Sequence, residues 1–285
     1  FVFNKHIMNN TFNVELTIDH PGFNDPKYRS QRDAIALKAR KFMQEFKKTS
    51  NFSLIPEINY TQEQHKLWQL IFNKLQSEIK QHACQQIINS FQKLQLDPNH
   101  IPKFKDINHT LQKHNSPIKI IPIDGHAKES VFFGHLAKAQ HLSTQYIRHT
   151  NQPEFTPEPD IIHDILGHLP AYLIPKMTQT AILIGKASQG ANQELLNKLD
   201  RIFWFSFEYG LCKENGQIKA FGSGNLSSLS DLKRCTDPKQ VIHKKFNITD
   251  IINTPYDPTQ ANKVLFVADS IDDAMDQIQH FLKTL

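Results

Sequence analysis

The chain has 285 residues, of which 33 are basic and 28 are acidic, giving a formal net charge of +5. The basic residues form no long run, so neither nucleic acid nor a membrane surface is expected as a partner, and no stretch approaches the ~18 apolar residues of a membrane span. The length suits one domain with a full core.

Three widely spaced cysteines, Cys84, Cys212 and Cys235, form no CxxC pair. This pattern predicts a reduced, cytoplasmic protein whose cysteines are small core residues.

In chain order, the pattern predicts mostly helices. Apolar residues recur at helical spacing over residues 27–46, and Thr61 with Gln64 resembles a capping box that opens a helical region to about residue 95, with room for one break. Further elements are a short helix (106–114), a short strand (118–123), a helix (229–234), a strand (263–268) and a C-terminal helix that begins at Asp269 or Ser270. The predicted fold class is mainly α with small β elements (α+β), in a single domain.

The most informative segment is residues 155–170, FTPEPDIIHDILGHLP. Its prolines favour an extended approach to a helix that starts at Asp160, whose carboxylate can accept the unpaired amide hydrogens of the first turn, including that of His163. Gly167 and Pro170 are expected to end this helix.

His163 and His168 are five residues apart, which places them roughly 140° apart around an ideal α-helix. They can meet at one ion only if the turn is distorted near Gly167. The HExxH pattern of zinc proteases has its histidines four apart and a glutamate after the first one, so a zinc hydrolase is disfavoured. The alternative without a metal is two histidines packed in a helical core.

A third candidate ligand is Glu208, within the largely apolar segment 201–212, RIFWFSFEYGLC. A buried, unpaired carboxylate costs several kcal/mol, so Glu208 either faces water or is neutralised by a metal. Two imidazoles and one carboxylate form the facial triad of non-haem iron(II) oxygenases, which leaves coordination positions open.

Several long segments together resemble one family, the pterin-dependent aromatic amino acid hydroxylases. The segments are TQYIRH (144–149), TPEPDIIHDILGH (156–168), WFSFEYGLCK (204–213), IKAFGSGNLSS (218–228), DHPGFNDPKYRSQR (19–32), residues 55–83 and VADSIDDA (267–274). They follow the family's order and separation. The resemblance implies a catalytic domain over residues 19–285, after an N-terminal extension of residues 1–18, with a mononuclear iron site.

The resemblance also implies cofactors and site residues. Iron(II) is expected on His163, His168 and Glu208, with a tetrahydropterin such as tetrahydrobiopterin as reductant and O2 as co-substrate. The residues expected to bind the amino acid are Arg148, Thr156, Pro157, Trp204 and Ser227. Those expected to bind the pterin are Phe132, by stacking, together with Asp164 and Tyr256.

The chain departs from the family pattern in the expected pterin region. His126, Ala127, Lys128 and Glu129 replace a leucine-and-serine loop, and His135 replaces the second of two glycines. In addition, Asp164 stands where the family usually has glutamate. Its shorter side chain is expected to reach the pterin only through water, the alternative being a helix acid that faces solvent.

The resemblance points to conversion of L-phenylalanine to L-tyrosine, as by a phenylalanine 4-monooxygenase. Trp204 argues against tryptophan as substrate, whereas Asp257 and Pro258 do not separate phenylalanine from tyrosine. The alternatives are a tyrosine 3-monooxygenase and a non-catalytic binder of iron or aromatic amino acids with an altered pterin loop. A monomer or dimer is expected because the chain lacks the tetramerisation helix of animal relatives.

Overall fold

A computed structural model describes residues 16–154, 156 and 158–285. Helices dominate this part of the chain, with two small sheets. The α-helices are α1 (Pro26–Thr49), α2 (Gln62–His82), α3 (Gln85–Lys93), α4 (Phe104–Lys113), α5 (Glu129–Leu136), α6 (Leu169–Tyr172), α7 (Pro175–Ala187), α8 (Gln193–Phe203), α9 (Ser223–Leu226), α10 (Leu229–Arg234), α11 (Ile248–Asn253) and α12 (Ile271–Leu282). A 3₁₀ turn covers Phe52–Leu54. The prediction of a mainly α fold with small β elements is confirmed.

Two short π-helical segments interrupt the regular helices. The first π-turn covers His163–His168 and leads directly into α6, and the second covers Trp204–Glu208 and continues α8. In a π-helix each hydrogen bond joins residues five apart rather than four, and such turns are often found at functional sites.

The six strands in the described part of the chain form two sheets. A parallel pair joins β1 (Lys119–Pro122) to β2 (Gln140–Ser143), with Ile120 opposite His141. The second sheet has the order β4-β3-β6-β5, from β3 (Leu211–Glu214), β4 (Gln217–Ala220), β5 (Ile242–Lys245) and β6 (Val264–Ala268). Its β3–β4 pair is an antiparallel hairpin, and its other two pairs are parallel.

Local sequence signals explain the long helices. Thr61 and Gln64 form both hydrogen bonds of the predicted capping box at the start of α2. The apolar stripe of α2, including Trp68 and Leu75, is fully buried. The predicted single break falls between α2 and α3, and Ser270 caps α12 by accepting from Asp273 N–H. The helical predictions for α1, α4 and α10 and the strand predictions for β1 and β6 are also confirmed.

The predicted end of the helix at residues 167–170 is wrong. The helix starts after Asp160 as expected, but it passes through Gly167 and Pro170 and ends at Tyr172. Pro170 lies in the first turn of α6, where a missing backbone N–H is tolerated because the π-turn has already shifted the hydrogen-bonding register.

All three cysteines are free and buried in the core, as predicted. Across the described residues, none of the helices combines the length and the apolar character that crossing a membrane requires. Residues 1–15 lie outside the described part, so the division into an extension of residues 1–18 and a domain of residues 19–285 stays a prediction.

Candidate metal centre

The first π-turn brings the two histidines together. Because the turn bonds residues five apart, His163 and His168 lie on the same face, and their Nε2 atoms are 3.1 Å apart. In a regular α-helix they would point in different directions. The distortion that the sequence required near Gly167 is therefore a π-turn.

The second π-turn supplies the carboxylate. Glu208 Oε1 lies 3.1 Å from His168 Nε2, and Glu208 Oε2 lies 3.6 Å from His163 Nε2. The Glu208 side chain is only 16% exposed, so it does not face bulk water. Ser223, at the start of α9, donates a hydrogen bond to Glu208 Oε2 at 2.7 Å and lies 3.2 Å from His168 Nε2. Three elements thus meet at one point.

The charge states of these groups suit a metal. Burial raises the pKa of Glu208, but His168, His163 and the hydrogen bond from Ser223 outweigh it, and the pKa falls to about 2. Burial lowers the pKa of His163. An ionised carboxylate and a neutral imidazole are the forms in which these side chains bind metal ions.

Ser227 fixes the orientation of His163. The Ser227 hydroxyl donates to Ser223 O at 2.8 Å, so His163 Nδ1, 3.0 Å away, is the donor to Ser227 Oγ. This tautomer leaves the lone pair of His163 on Nε2, the atom that faces His168 and Glu208. A hydrogen bond of this kind to the second ring nitrogen is typical of metal-binding histidines. The predicted contact of Ser227 with the amino acid stays a prediction.

The three side chains fit a mononuclear iron. Their ligand atoms all lie within 4.8 Å of one another, and two imidazoles with one carboxylate are the donor set of non-haem iron(II). His141, Asp164 and His168 form a second group within the same distance. That group shares His168, and both oxygens of Asp164 already accept hydrogen bonds.

Arg148 is buried, not a surface arginine. It is 3% exposed and binds Asp160 through two parallel hydrogen bonds, from Nε to Oδ2 at 3.0 Å and from Nη2 to Oδ1 at 2.9 Å. Asp160 Oδ1 also accepts from His163 N at 3.0 Å, which confirms the predicted helix cap. No motif indicated the ion pair, because the two residues lie on different segments.

Trp204 and Tyr256 form an aromatic wall. Their rings stack with centroids 4.1 Å apart and an angle of 13°, and Trp204 Nε1 donates to Asn262 Oδ1 at 2.9 Å. The Tyr256 hydroxyl donates to Asp200, whose pKa burial raises to about 6. Asp200 and Asn262 were not predicted, since neither belongs to a recognisable motif.

The remaining predicted residues lie at different depths. Phe132, on α5, is half-buried and meets the rings of Phe203 and His141 edge-on, with centroids 5.4 and 5.6 Å apart. Thr156 is half-buried. Pro157 lies outside the described residues.

Asp164 does not face solvent. It is 3% exposed and accepts hydrogen bonds from His141 Nε2 at 3.3 Å and from Thr144 N at 3.1 Å. The alternative of a solvent-facing helix acid is therefore wrong, and a role of Asp164 towards the pterin stays a prediction. His141, which links Asp164 to Tyr172, was missed because a single histidine in a short strand carries no signal.

Comparison with known proteins decides the family. Residues 3–285 match the sequence profile of the biopterin-dependent aromatic amino acid hydroxylases. The chain belongs to this family. Family membership confirms the predicted resemblance and, at the level of the family, the biopterin dependence.

Two relatives within the biopterin-dependent hydroxylase family have different substrates in their names. The chloroplastic phenylalanine 4-monooxygenase of Pinus taeda is 35% identical over 274 residues, which cover 96% of this chain and 75% of the relative. The tyrosine 3-monooxygenase of Drosophila melanogaster is 36% identical over 285 residues, which cover 99% of this chain and 48% of the relative. The chain therefore spans about half the length of the fly relative.

Among solved structures, a phenylalanine hydroxylase from Chromobacterium violaceum has a similar fold. That crystal structure holds iron(III) and the oxidised cofactor 7,8-dihydrobiopterin. The TM-score is 0.74 with 28% sequence identity, and the match covers 79% of this chain and 82% of that chain.

Proposed function

We propose that this hydroxylase converts L-phenylalanine to L-tyrosine with iron(II), a tetrahydropterin and O2. The observation that carries the proposal is the convergence of His163, His168 and Glu208, with Glu208 ionised and His163 held in the metal-binding tautomer. When bound, iron and the tetrahydropterin supply the reduction of O2 that ring hydroxylation needs.

In this proposal Arg148 binds the carboxylate of the amino acid. A guanidinium has five N–H donors, of which Asp160 takes two, and Pro153 O lies 3.4 Å from Nη1. The remaining donors can pair with the substrate, while Asp160 holds the planar group in a fixed orientation. Fixing the backbone end of the substrate places its ring relative to the metal.

Trp204 supplies a rigid apolar surface for the aromatic ring. Its position is fixed by the hydrogen bond to Asn262 and by stacking on Tyr256, which is anchored in turn by Asp200. A side chain held on both sides loses little conformational entropy when a ligand binds.

The direct test is aerobic turnover with iron(II) and tetrahydrobiopterin, using phenylalanine, tyrosine and tryptophan separately and identifying each product by mass spectrometry. Tyrosine formed from phenylalanine, at a higher kcat/KM than the turnover of the other two amino acids, is the expected result. Glu208→Gln should abolish turnover, whereas Glu194→Gln, in an exposed pair with Lys198, should not. Saturable amino acid binding without any product from the intact protein would overturn the proposal.

A second candidate is tyrosine 3-monooxygenase, favoured by the match to the fly relative over 99% of this chain. It predicts 3,4-dihydroxyphenylalanine as the main product in the same assay. A cytoplasmic location and a monomeric or dimeric state stay predictions.

A further inference from the structure

A buried chain of three polar side chains lies beside the candidate metal centre, and two of them, Tyr172 and His141, have no part in the proposed hydroxylation. Tyr172 OH is 2.9 Å from His141 Nδ1, and His141 Nε2 is 3.3 Å from Asp164 Oδ1. The three residues are between 0% and 3% exposed. Buried polar groups that are fully paired in this way hold a defined arrangement.

The direction of the hydrogen bonds follows from their partners. Asp164 accepts from Thr144 N as well as from His141, as an ionised carboxylate does, so His141 carries its proton on Nε2. In the neutral imidazole the other nitrogen, Nδ1, then has a lone pair. The Tyr172 hydroxyl therefore donates to His141 Nδ1, and the chain runs from tyrosine to histidine to aspartate.

The same residues touch a predicted metal ligand. The His141 ring lies 4.7 Å from the His168 ring, centroid to centroid, and the Tyr172 ring is nearly parallel to the His168 ring at 6.4 Å and 12°. A phenol with a base at hydrogen-bond distance thus packs directly against a side chain of the candidate centre.

We propose that Tyr172, His141 and Asp164 form a redox-active tyrosine site, in which Tyr172 would give an electron to an iron held by the candidate ligands when O2 has oxidised that iron without an amino acid to hydroxylate. The inference rests on the proposed function for a redox-active iron on His163, His168 and Glu208 and for the tetrahydropterin that restores the tyrosine. It concerns a second activity of the protein, the one-electron reduction of an oxidised iron that has no substrate to hydroxylate.

The proton stays within the three residues, whereas the electron passes to the iron. The O–H bond of Tyr172 breaks, its proton forms an N–H bond at His141 Nδ1, and its electron reduces the iron by one unit. The products are a neutral tyrosyl radical and an imidazolium that remains hydrogen-bonded to the Asp164 carboxylate. One electron from the tetrahydropterin and the return of the proton from His141 restore the tyrosine.

The arrangement distinguishes Tyr172 from another buried tyrosine. Tyr146 is 2% exposed, and its hydroxyl lies 3.5 Å from the Nη2 atom of Arg32 and also bonds Glu158, a carboxylate that is already paired with Arg32. Tyr172 instead has an imidazole nitrogen at 2.9 Å, on a ring that is hydrogen-bonded to a carboxylate and packs against a candidate metal ligand. Loss of a proton together with an electron avoids a charged phenol in the protein interior, where an uncompensated charge is costly.

The test uses iron(II)-loaded protein mixed anaerobically with hydrogen peroxide and frozen within milliseconds, without pterin or amino acid. Electron paramagnetic resonance should show an organic radical whose line shape changes when the protein carries ring-deuterated tyrosine. The signal should be lost in Tyr172→Phe and strongly reduced in His141→Phe, and it should persist in the matched control Tyr146→Phe. Thermal unfolding of each variant checks that it folds.

Two results would contradict the inference. A tyrosyl radical that persists in Tyr172→Phe, or oxidation of the iron without any radical in the unaltered protein, overturns the inference. If His141→Phe fails to fold, the decision rests on Tyr172→Phe, which removes a single oxygen atom. A purely structural hydrogen bond would lower the stability of Tyr172→Phe without changing the radical signal.

The outcome can be separated from that of the proposed function. If the turnover assay yields product from phenylalanine but the peroxide experiment yields no radical, this inference alone is overturned. If the peroxide experiment yields a radical that depends on Tyr172 but the turnover assay yields no product, the proposed hydroxylation alone is overturned. A protein that retains no iron overturns both.

Discussion

At the scale of single residues, Asp160 carries several functions at once. Its carboxylate caps the helix that bears His163 and neutralises the buried Arg148. One side chain therefore links the start of the segment that carries two candidate ligands to the residue expected to hold the substrate. Its loss should affect both stability and substrate binding.

Replacing Asp160 with asparagine keeps the helix cap, because asparagine is also a good cap, and removes the charge that pairs with Arg148. Arg148 would remain buried as an unpaired cation, so we expect the free energy of unfolding to fall by about 3–5 kcal/mol, measured by urea denaturation. The matched control is Asp269→Asn, which removes an exposed ion pair with Lys213 and should cost less than about 1 kcal/mol. Equal losses in the two variants would contradict the importance of the buried pair.

His20 predicts a pH dependence of stability. Burial lowers its pKa from 6.5 to about 4, with repulsion from Arg32 adding to the effect, and its Nδ1 accepts a hydrogen bond from Gly22 N that protonation would break. The unfolded chain binds the proton more readily than the folded protein. Stability is therefore fully present above pH 6.5 and is lost as the pH falls towards 4, by at most about 3 kcal/mol.

The measurement is urea denaturation between pH 7 and pH 5. His20→Asn keeps an acceptor for Gly22 N but cannot be protonated, so its stability should change less over this range than that of the unaltered protein. His109→Asn, at an exposed position of α4, should keep the original slope. An unchanged slope in His20→Asn would show that other groups cause the loss.

At the scale of elements, the two π-turns decide the geometry of the candidate centre. The first places residues five apart on one face, and the second ends at Glu208. Close packing against α9 accompanies the first turn. A Cβ atom added at Gly167 would lie 2.7 Å from Ser223 O, so only glycine allows this approach.

Gly167→Ala should therefore push the first π-turn away from α9, whose Ser223 bonds Glu208. We expect a loss of stability of about 1–3 kcal/mol and weaker iron(II) binding, measured by thermal unfolding and by metal content after dialysis. The matched control is Gly134→Ala in α5, where the nearest atom to an added Cβ is 3.8 Å away. That change should be neutral or stabilising, since alanine favours helix. Unaltered metal content in Gly167→Ala would contradict the coupling.

At the scale of the whole molecule, the candidate ligands join distant parts of the chain. His163 and His168 lie about 40 residues before Glu208, and Ser223 follows it by 15 residues. A metal bound to all three ligands would cross-link these segments only in the folded state. Metal binding should therefore stabilise the whole domain.

Calorimetry with and without iron(II) under anaerobic conditions measures this effect. At a free metal concentration one hundred times Kd, the expected gain is about 2.7 kcal/mol, with a matching rise in Tm that a chelator reverses. Glu208→Gln should show a much smaller rise. A Tm that does not respond to iron(II) in the unaltered protein would argue against the site.

Sequence patterns were sufficient to predict the helices with clear caps and periodicity, such as α2 and α12, and to identify the family, through long motifs in order. They also named His163, His168 and Glu208 as candidate ligands. These features are local, because hydrogen bonds between near neighbours and side-chain spacing specify them. Three features became visible only in the folded protein: His163 and His168 share a face, Arg148 pairs with Asp160, and Asp164 is buried against His141. Each of these depends on packing between segments far apart in the chain, which no short pattern encodes.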